Sequence, residues 1–179
     1  MKKMTFGIQT VQTLLICLTL SLISEGCSAK VPQKKTNMYE SIDSVMRAEI
    51  GDSLTSLILD AKNIVAERIK QIGDSVDVIA SKRLGSADAT VTKFLLASYE
   101  NYNDACIVFG KISPNLRLKF SKRKSICYVY FDFGMRLLVV KNAENEELKR
   151  CVLTNNVFLK FANLLFPNDE FLTFLLNNK

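Results

Sequence analysis

Hydrophobic and polar positions alternate most cleanly over residues 116–121, where Leu116, Leu118 and Phe120 are interleaved with Arg117, Lys119 and Ser121. Successive side chains of an extended chain point to opposite faces, so this pattern predicts a strand with one buried and one wet face. A second strand is expected over Ile126 to Phe131, which is rich in aromatic and β-branched residues, with the basic turn Lys122, Arg123 and Lys124 between the two. Gly134 permits a tight turn into a strand from Arg136 to Lys141, and the polar loop Asn142 to Asn145 leads into another from Glu147 to Leu153. Cys106 to Lys111 is expected as the strand that precedes this series. Connections this short join antiparallel neighbours, so a meander is predicted.

The period then lengthens. Val157, Phe158, Phe161, Leu164 and Leu165 recur at helical spacing after Asn155 and Asn156, either of which can cap exposed amides. Pro167 ends that helix. Asn168 is the expected cap of the next, with Asp169 and Glu170 well placed against its dipole and Phe171, Leu172 and Leu175 as its apolar stripe. Upstream, Val91, Phe94, Leu95 and Tyr102 mark an amphipathic helix that starts near Asp88.

Between Met38 and Leu84 the pattern is equivocal, because Ile50-Gly51-Asp52-Ser53 recurs as Ile72-Gly73-Asp74-Ser75. That spacing equals two eleven-residue periods and suits one long, nearly straight helix. Two glycines inside such a helix argue instead for a break. The expected elements are helices over Met38 to Ile50 and Asp52 to Ala61, an edge strand from Asn63 to Lys70 with Val65 and Ile69 on one face, and a loop from Gly73 to Ser86. The repeated tetrapeptide then reads as two similar capping sequences. The predicted fold class is α+β, an antiparallel β-meander covered on one face by helices, with a C-terminal helical pair.

The first residues have a different character. Lys2 and Lys3 precede an apolar stretch from Val11 to Ile23, and Ser24-Glu25-Gly26 leads into Cys27. A run of roughly 13 apolar-rich residues is shorter than the roughly 20 that span hydrocarbon, and it suits a signal-peptide core. The segment resembles the site cut by a lipoprotein signal peptidase. Gly26 and Cys27 match that pattern, whereas Ser24 and Glu25 depart from it, as in the looser boxes of Bacteroidota lipoproteins. An uncleaved anchor and ordinary cleavage after Ala29 are the alternatives. The resemblance implies residues 1–26 as signal, lipidation at Cys27, a tether over 27–37 and one domain over 38–179. Removal of Lys2, Lys3 and Glu25 takes the net charge from +6 to +5. Diacylglycerol and an amide-linked acyl chain such as palmitate bury enough methylenes, at about 0.8 kcal/mol each, to make attachment effectively permanent. The tether, with Pro32 and three lysines, reaches about 35 to 40 Å when extended. Surface-displayed lipoproteins of this kind often carry acidic residues after the cysteine. Ser28-Ala29-Lys30-Val31-Pro32 has none, so the expected address is the periplasmic face of the outer membrane.

A wider resemblance lies in Asn101-Tyr102, in Val108-Phe109-Gly110-Lys111 with Pro114, in Tyr128 to Gly134, and in Phe161 to Asp169. These stretches look like those of small, uncharacterised Bacteroidota lipoproteins. That family brings no known activity, and the resemblance implies an address and a fold.

Composition removes most catalytic templates. The chain has no histidine, the usual base of Ser-His-Asp and Cys-His sites and the commonest zinc ligand, and no tryptophan for a sugar platform. No Gly-rich phosphate loop follows a predicted strand. Asp132-Phe133-Gly134 matches the kinase metal-binding triplet by letter only, since the partner catalytic loop needs a histidine. With Cys17 in the signal and Cys27 lipidated, Cys106, Cys127 and Cys151 remain, an odd number. Buried thiols are expected, with one disulfide between neighbouring strands an alternative in an oxidising compartment. No cofactor or metal is expected. Carboxylates could form an acid and base pair, from Asp132 or from Glu144, Glu146 and Glu147, although a turn-forming role suits them better.

The candidate binding residues are therefore Arg117, Lys119, Lys122, Arg123 and Lys124, with Tyr128, Tyr130 and Asp132 on one face of the next strand. Basic edges resist strand aggregation, and they also attract phosphate on lipid head groups or an acidic protein. The expected function is a non-enzymatic envelope lipoprotein, a binding or accessory subunit at the outer membrane. The alternative is a carboxylate-dependent envelope glycan hydrolase. Export disfavours nucleic acid as a partner.

Overall fold

Seven antiparallel strands form one open sheet with helices packed on one side, in a computed structural model that describes residues 46–48, 50–73, 75–104 and 110–178. All of these lie in one compact unit, Asn37–Lys179. In chain order the elements are α1 (Asp52–Asp60), β1 (Asn63–Ile72), β2 (Ser75–Arg83), α2 (Ser86–Ala97), a 3-10 turn (Tyr99–Asn101), β3 (Tyr102–Asp104), β4 (Leu116–Lys122), β5 (Ser125–Asp132), β6 (Leu137–Asn142), β7 (Glu147–Leu153), α3 (Val157–Leu165) and α4 (Glu170–Asn177). Strand order across the sheet is β2-β1-β4-β5-β6-β7-β3.

The meander β4 to β7 forms as its alternation demands. Leu116, Leu118 and Phe120 are buried, as are Cys127, Val129 and Phe131 on the strand beside them. These side chains join Ile58 of α1, Leu95 of α2, Phe158 of α3 and Leu172 of α4 in the main core. A second, smaller cluster of Ile69, Tyr130 and Val139, flanked by Val76, Ile112 and Tyr128, contains no helical residue. Among the described residues, the sheet thus has one face covered by helices and one that is not.

Gly51 makes the expected break, with φ 83 and ψ 156, between helical residue 50 and α1. Backbone in this region is open essentially to glycine alone. Gly51→Ala should therefore cost about 1 to 3 kcal/mol, read as a lower urea midpoint; an unchanged midpoint would mean that the chain turns here without strain.

Several expectations are corrected. Gly73 does not cap a helix; with φ 59 it turns β1 into β2, which occupies most of the expected loop from Gly73 to Ser86. β1 is therefore not an edge strand, since β2 lies on one side and β4 on the other. The apolar phase of β2 is broken by a bulge: Ile69 faces Val78 and Arg68 faces Ala80, leaving Ile79 opposite no residue of β1. In α2 the buried positions are Thr92, Leu95, Leu96 and Ala97, whereas Val91 and Phe94 are exposed and Tyr102 belongs to β3. In α3, Leu164 is exposed while Leu159 and Ala162 are buried. Asp169 rather than Asn168 caps α4, accepting a 2.8 Å hydrogen bond from the Leu172 amide. At the β5–β6 turn the positive φ falls on Arg136, not Gly134. Of the strand expected over Cys106 to Lys111, residues 106–109 lie outside the described residues; Gly110 and Lys111 are not in a strand.

Candidate functional site on the open sheet face

Cross-strand register builds the uncovered face from two rows. One runs Val65, Lys119, Tyr128, Lys141 and Glu147 across β1, β4, β5, β6 and β7. The next runs Glu67, Arg117, Tyr130, Val139 and Arg150 across the same strands. Directly opposed side chains in a sheet lie within contact distance, so the alternation of cation and tyrosine follows from register.

Arg117 sits at the centre. Its guanidinium lies 5.3 Å from the Tyr128 ring centroid and 5.9 Å from that of Tyr130, and its Nε donates to Glu67. Burial works to lower its pKa, but hydrogen bonding to Glu67 and Tyr130 outweighs this and raises it, so the group is a permanent cation. The ammonium of Lys141 lies 5.4 Å from the Tyr130 centroid on the other side. Cations over aromatic faces are favoured by the ring quadrupole, and here they hold the charges against the sheet. Farther along, Arg150 pairs with Glu147 at 2.7 Å, a hydrogen bond that keeps the Glu147 carboxyl below its ordinary pKa. Beside Tyr130 a cleft of about 170 Å³ opens between Val76, Ile112, Lys111 and Lys141.

Four sequence candidates, Arg117, Lys119, Tyr128 and Tyr130, are brought together here. The others are not. Lys122 lies on the helical side of the sheet and pairs with Asp60 of α1 at 2.7 Å. Arg123, in a left-handed conformation (φ 54), and Lys124 are exposed in the hairpin turn. Asp132 is only 3% exposed, and its two oxygens accept from the amides of Ser113 (2.7 Å) and Met135 (2.9 Å), which makes it a clamp for two loops. Glu67, Lys111, Lys141 and Arg150 were not singled out from the sequence. Lys141 and Arg150 stand on the neighbouring strands β6 and β7, and choosing them requires the register between strands.

The loop carboxylates have local partners. Glu146 exchanges hydrogen bonds with Asn142, its carboxylate accepting at 2.7 Å and its amide donating at 2.8 Å. Among the described residues no group of three His, Cys, Asp or Glu side chains is placed to hold a metal ion. Cys127 is a free thiol on β5 and Cys151 lies on β7, with β6 between them, and both are buried. Burial pushes the Cys127 thiol up to about 12. Since the thiolate is the nucleophile, Cys127 should not react with a maleimide in the native protein at neutral pH and should react in urea, as peptide mass spectrometry would read. Native labelling of Cys127 would show a reactive thiol. Cys106 and Cys27, with the whole expected signal and tether, lie outside the described residues.

No known protein family, curated protein or solved structure matches the chain. Among the described residues no helix is long and apolar enough to cross a membrane.

Proposed function

We propose that this chain is a non-enzymatic envelope lipoprotein, anchored through Cys27 at the periplasmic face of the outer membrane, whose open sheet face holds anionic phosphate head groups. The observation that carries the reading is the row Lys119, Tyr128 and Lys141 beside Arg117 and Tyr130. Glu67 and Glu147 balance Arg117 and Arg150, leaving Lys119 and Lys141 as the excess positive charge of the two rows. Tyr128, half-buried between Lys119 and Lys141, suits a membrane interface, where an amphipathic ring bridges apolar and wet surroundings. Each basic group near an anionic surface contributes about 1 kcal/mol, reduced by salt. The glycan hydrolase alternative finds less support, because Asp132 holds two loop amides and Glu146 and Glu147 are bonded to Asn142 and Arg150.

Anchoring is tested by replacing Cys27 with Ser. The wild type should carry acyl mass and fractionate with membranes, and the variant should lose the acyl mass and leave that fraction. A wild type without acyl mass, or a variant that stays on the membrane unchanged, would reject the anchor.

A further inference from the structure

β2 ends the sheet, and its outer edge pairs with no strand among the described residues. An edge strand presents unpaired N–H and C=O groups, which proteins ordinarily protect by brevity, proline, charge or a bulge. The opposite edge, β3, is only three residues long. β2 has nine residues and no proline, and every one but Val76 is exposed. Val78 and Ile79 are about half exposed, at 47% and 56%.

Charge is distributed unevenly along this strand, with Asp77 near its start and Lys82 and Arg83 at its end. We propose that β2 pairs antiparallel with β2 of a second copy of this chain, joining the two sheets across a two-fold axis. Antiparallel pairing sets the acidic end of each strand against the basic end of the other, twice over by symmetry. Parallel pairing would instead set like charges side by side, which is unfavourable.

The bulge and the charges together select the register. Val78 shares the uncovered face with Ile69, whereas beyond the bulge it is Ser81, opposite Glu67, that lies on this face. Asp77, opposite Lys70, and Lys82, opposite Ala66, lie on the helical face. Opposed residues of paired strands must point to the same side. That condition is met when Asp77 faces Lys82 of the second copy and Val78 faces Ser81, with the axis passing between Ile79 and Ala80. In this register the two Ile79 side chains, which have no opposite residue in β1, flank the axis. The bulge, ordinarily a guard against edge pairing, here lets residues on its two sides oppose one another on the same face, and the charges of Asp77 and Lys82 choose this register among those that do. Lys82 lies 3.3 Å from Asp88 of α2, which holds the ammonium on the helical face where Asp77 would meet it.

The test uses the full chain with two different tags, co-expressed and extracted in detergent. Wild-type copies should co-purify. Asp77→Lys should lose self-association at least tenfold, and so should Lys82→Glu with Arg83→Glu, because each variant faces itself with like charges. The two variants mixed should regain association, since the introduced lysine of one copy then meets an introduced glutamate of the other. Thermal unfolding like that of the wild type confirms that each variant is folded, as expected for changes on an exposed strand. Association that persists in either variant alone, wild-type copies that stay apart, or a folded mixed pair that fails to associate would each overturn the proposal.

Discussion

Replacing Arg68 with Met should lower the stability of the domain by about 3 to 5 kcal/mol, the range for breaking one side of a buried ion pair. Arg68 is an arginine on the helical face of β1 at a position where its neighbours Ile64 and Ala66 are apolar, and it is only 5% exposed. Its Nε donates to Asp169 at 2.8 Å, its Nη1 donates to the carbonyls of Ile69 and Asn115, and its guanidinium lies 4.9 Å from the Phe171 centroid. Asp169 is in turn the cap of α4. One side chain therefore joins β1, the loop before β4 and the start of the last helix. Methionine keeps the bulk of the stem and removes these donors, leaving buried carbonyls and a carboxylate without them. Urea unfolding of Arg68→Met, Asp169→Asn and the double variant measures the coupling. The double variant should lose less than the sum of the singles; a loss below about 1 kcal/mol for Arg68→Met would mean that water replaces the donors at little cost.

Phe131→Ala is the second large effect, at about 3 to 5 kcal/mol, the range for truncating a buried aromatic. Phe131 is fully buried near the end of β5, with its ring centroid 4.8 Å from that of Phe158 on α3 and 5.9 Å from that of Phe133. It joins the meander to α3 through the Phe158 ring, so the cavity would open between sheet and helix. Phe131→Leu should recover more than half of the loss by refilling that space. Equal losses for Ala and Leu would show that ring geometry, rather than volume, matters at this position.

The parts of this fold that were legible in the sequence are those where one local rule sufficed. Alternation over Leu116 to Ser121 gave both the strand and its buried face, and helical spacing with Pro167 gave the two C-terminal helices. β2 was not legible because a strand exposed on both faces has no apolar face to reveal it, and because the bulge at Ile79 reverses its phase. Val91, Phe94 and Leu164 satisfied helical periodicity yet face outward, since periodicity names a stripe without saying which neighbouring stripe meets the sheet. The candidate site was half legible for a related reason. Arg117, Lys119, Tyr128 and Tyr130 follow from two adjoining strands and their short turn. Glu67 and Lys141 come into the site through neighbours whose register is a tertiary property. Lys122 was grouped with the basic hairpin by its position in the chain, but strand alternation turns it to the helical side, where Asp60 neutralises it.

Flotation of the protein on vesicles of phosphatidylglycerol and phosphatidylcholine, at low and at physiological salt, tests the central claim most directly. The Cys27→Ser chain binds without the help of its acyl chains, and it is compared with the same chain carrying Lys119→Glu and Lys141→Glu, or Lys122→Glu, Arg123→Glu and Lys124→Glu. Reversing the sheet-face pair should weaken binding by at least tenfold at low salt, given about 1 kcal/mol for each basic group lost and a like-sign penalty for each acid gained. Reversing the hairpin should weaken it less, although more charges are changed, and added salt should narrow the differences. Unchanged binding by the sheet-face variant, or a larger loss from the hairpin variant, would contradict the assignment of head-group binding to the open face of the sheet.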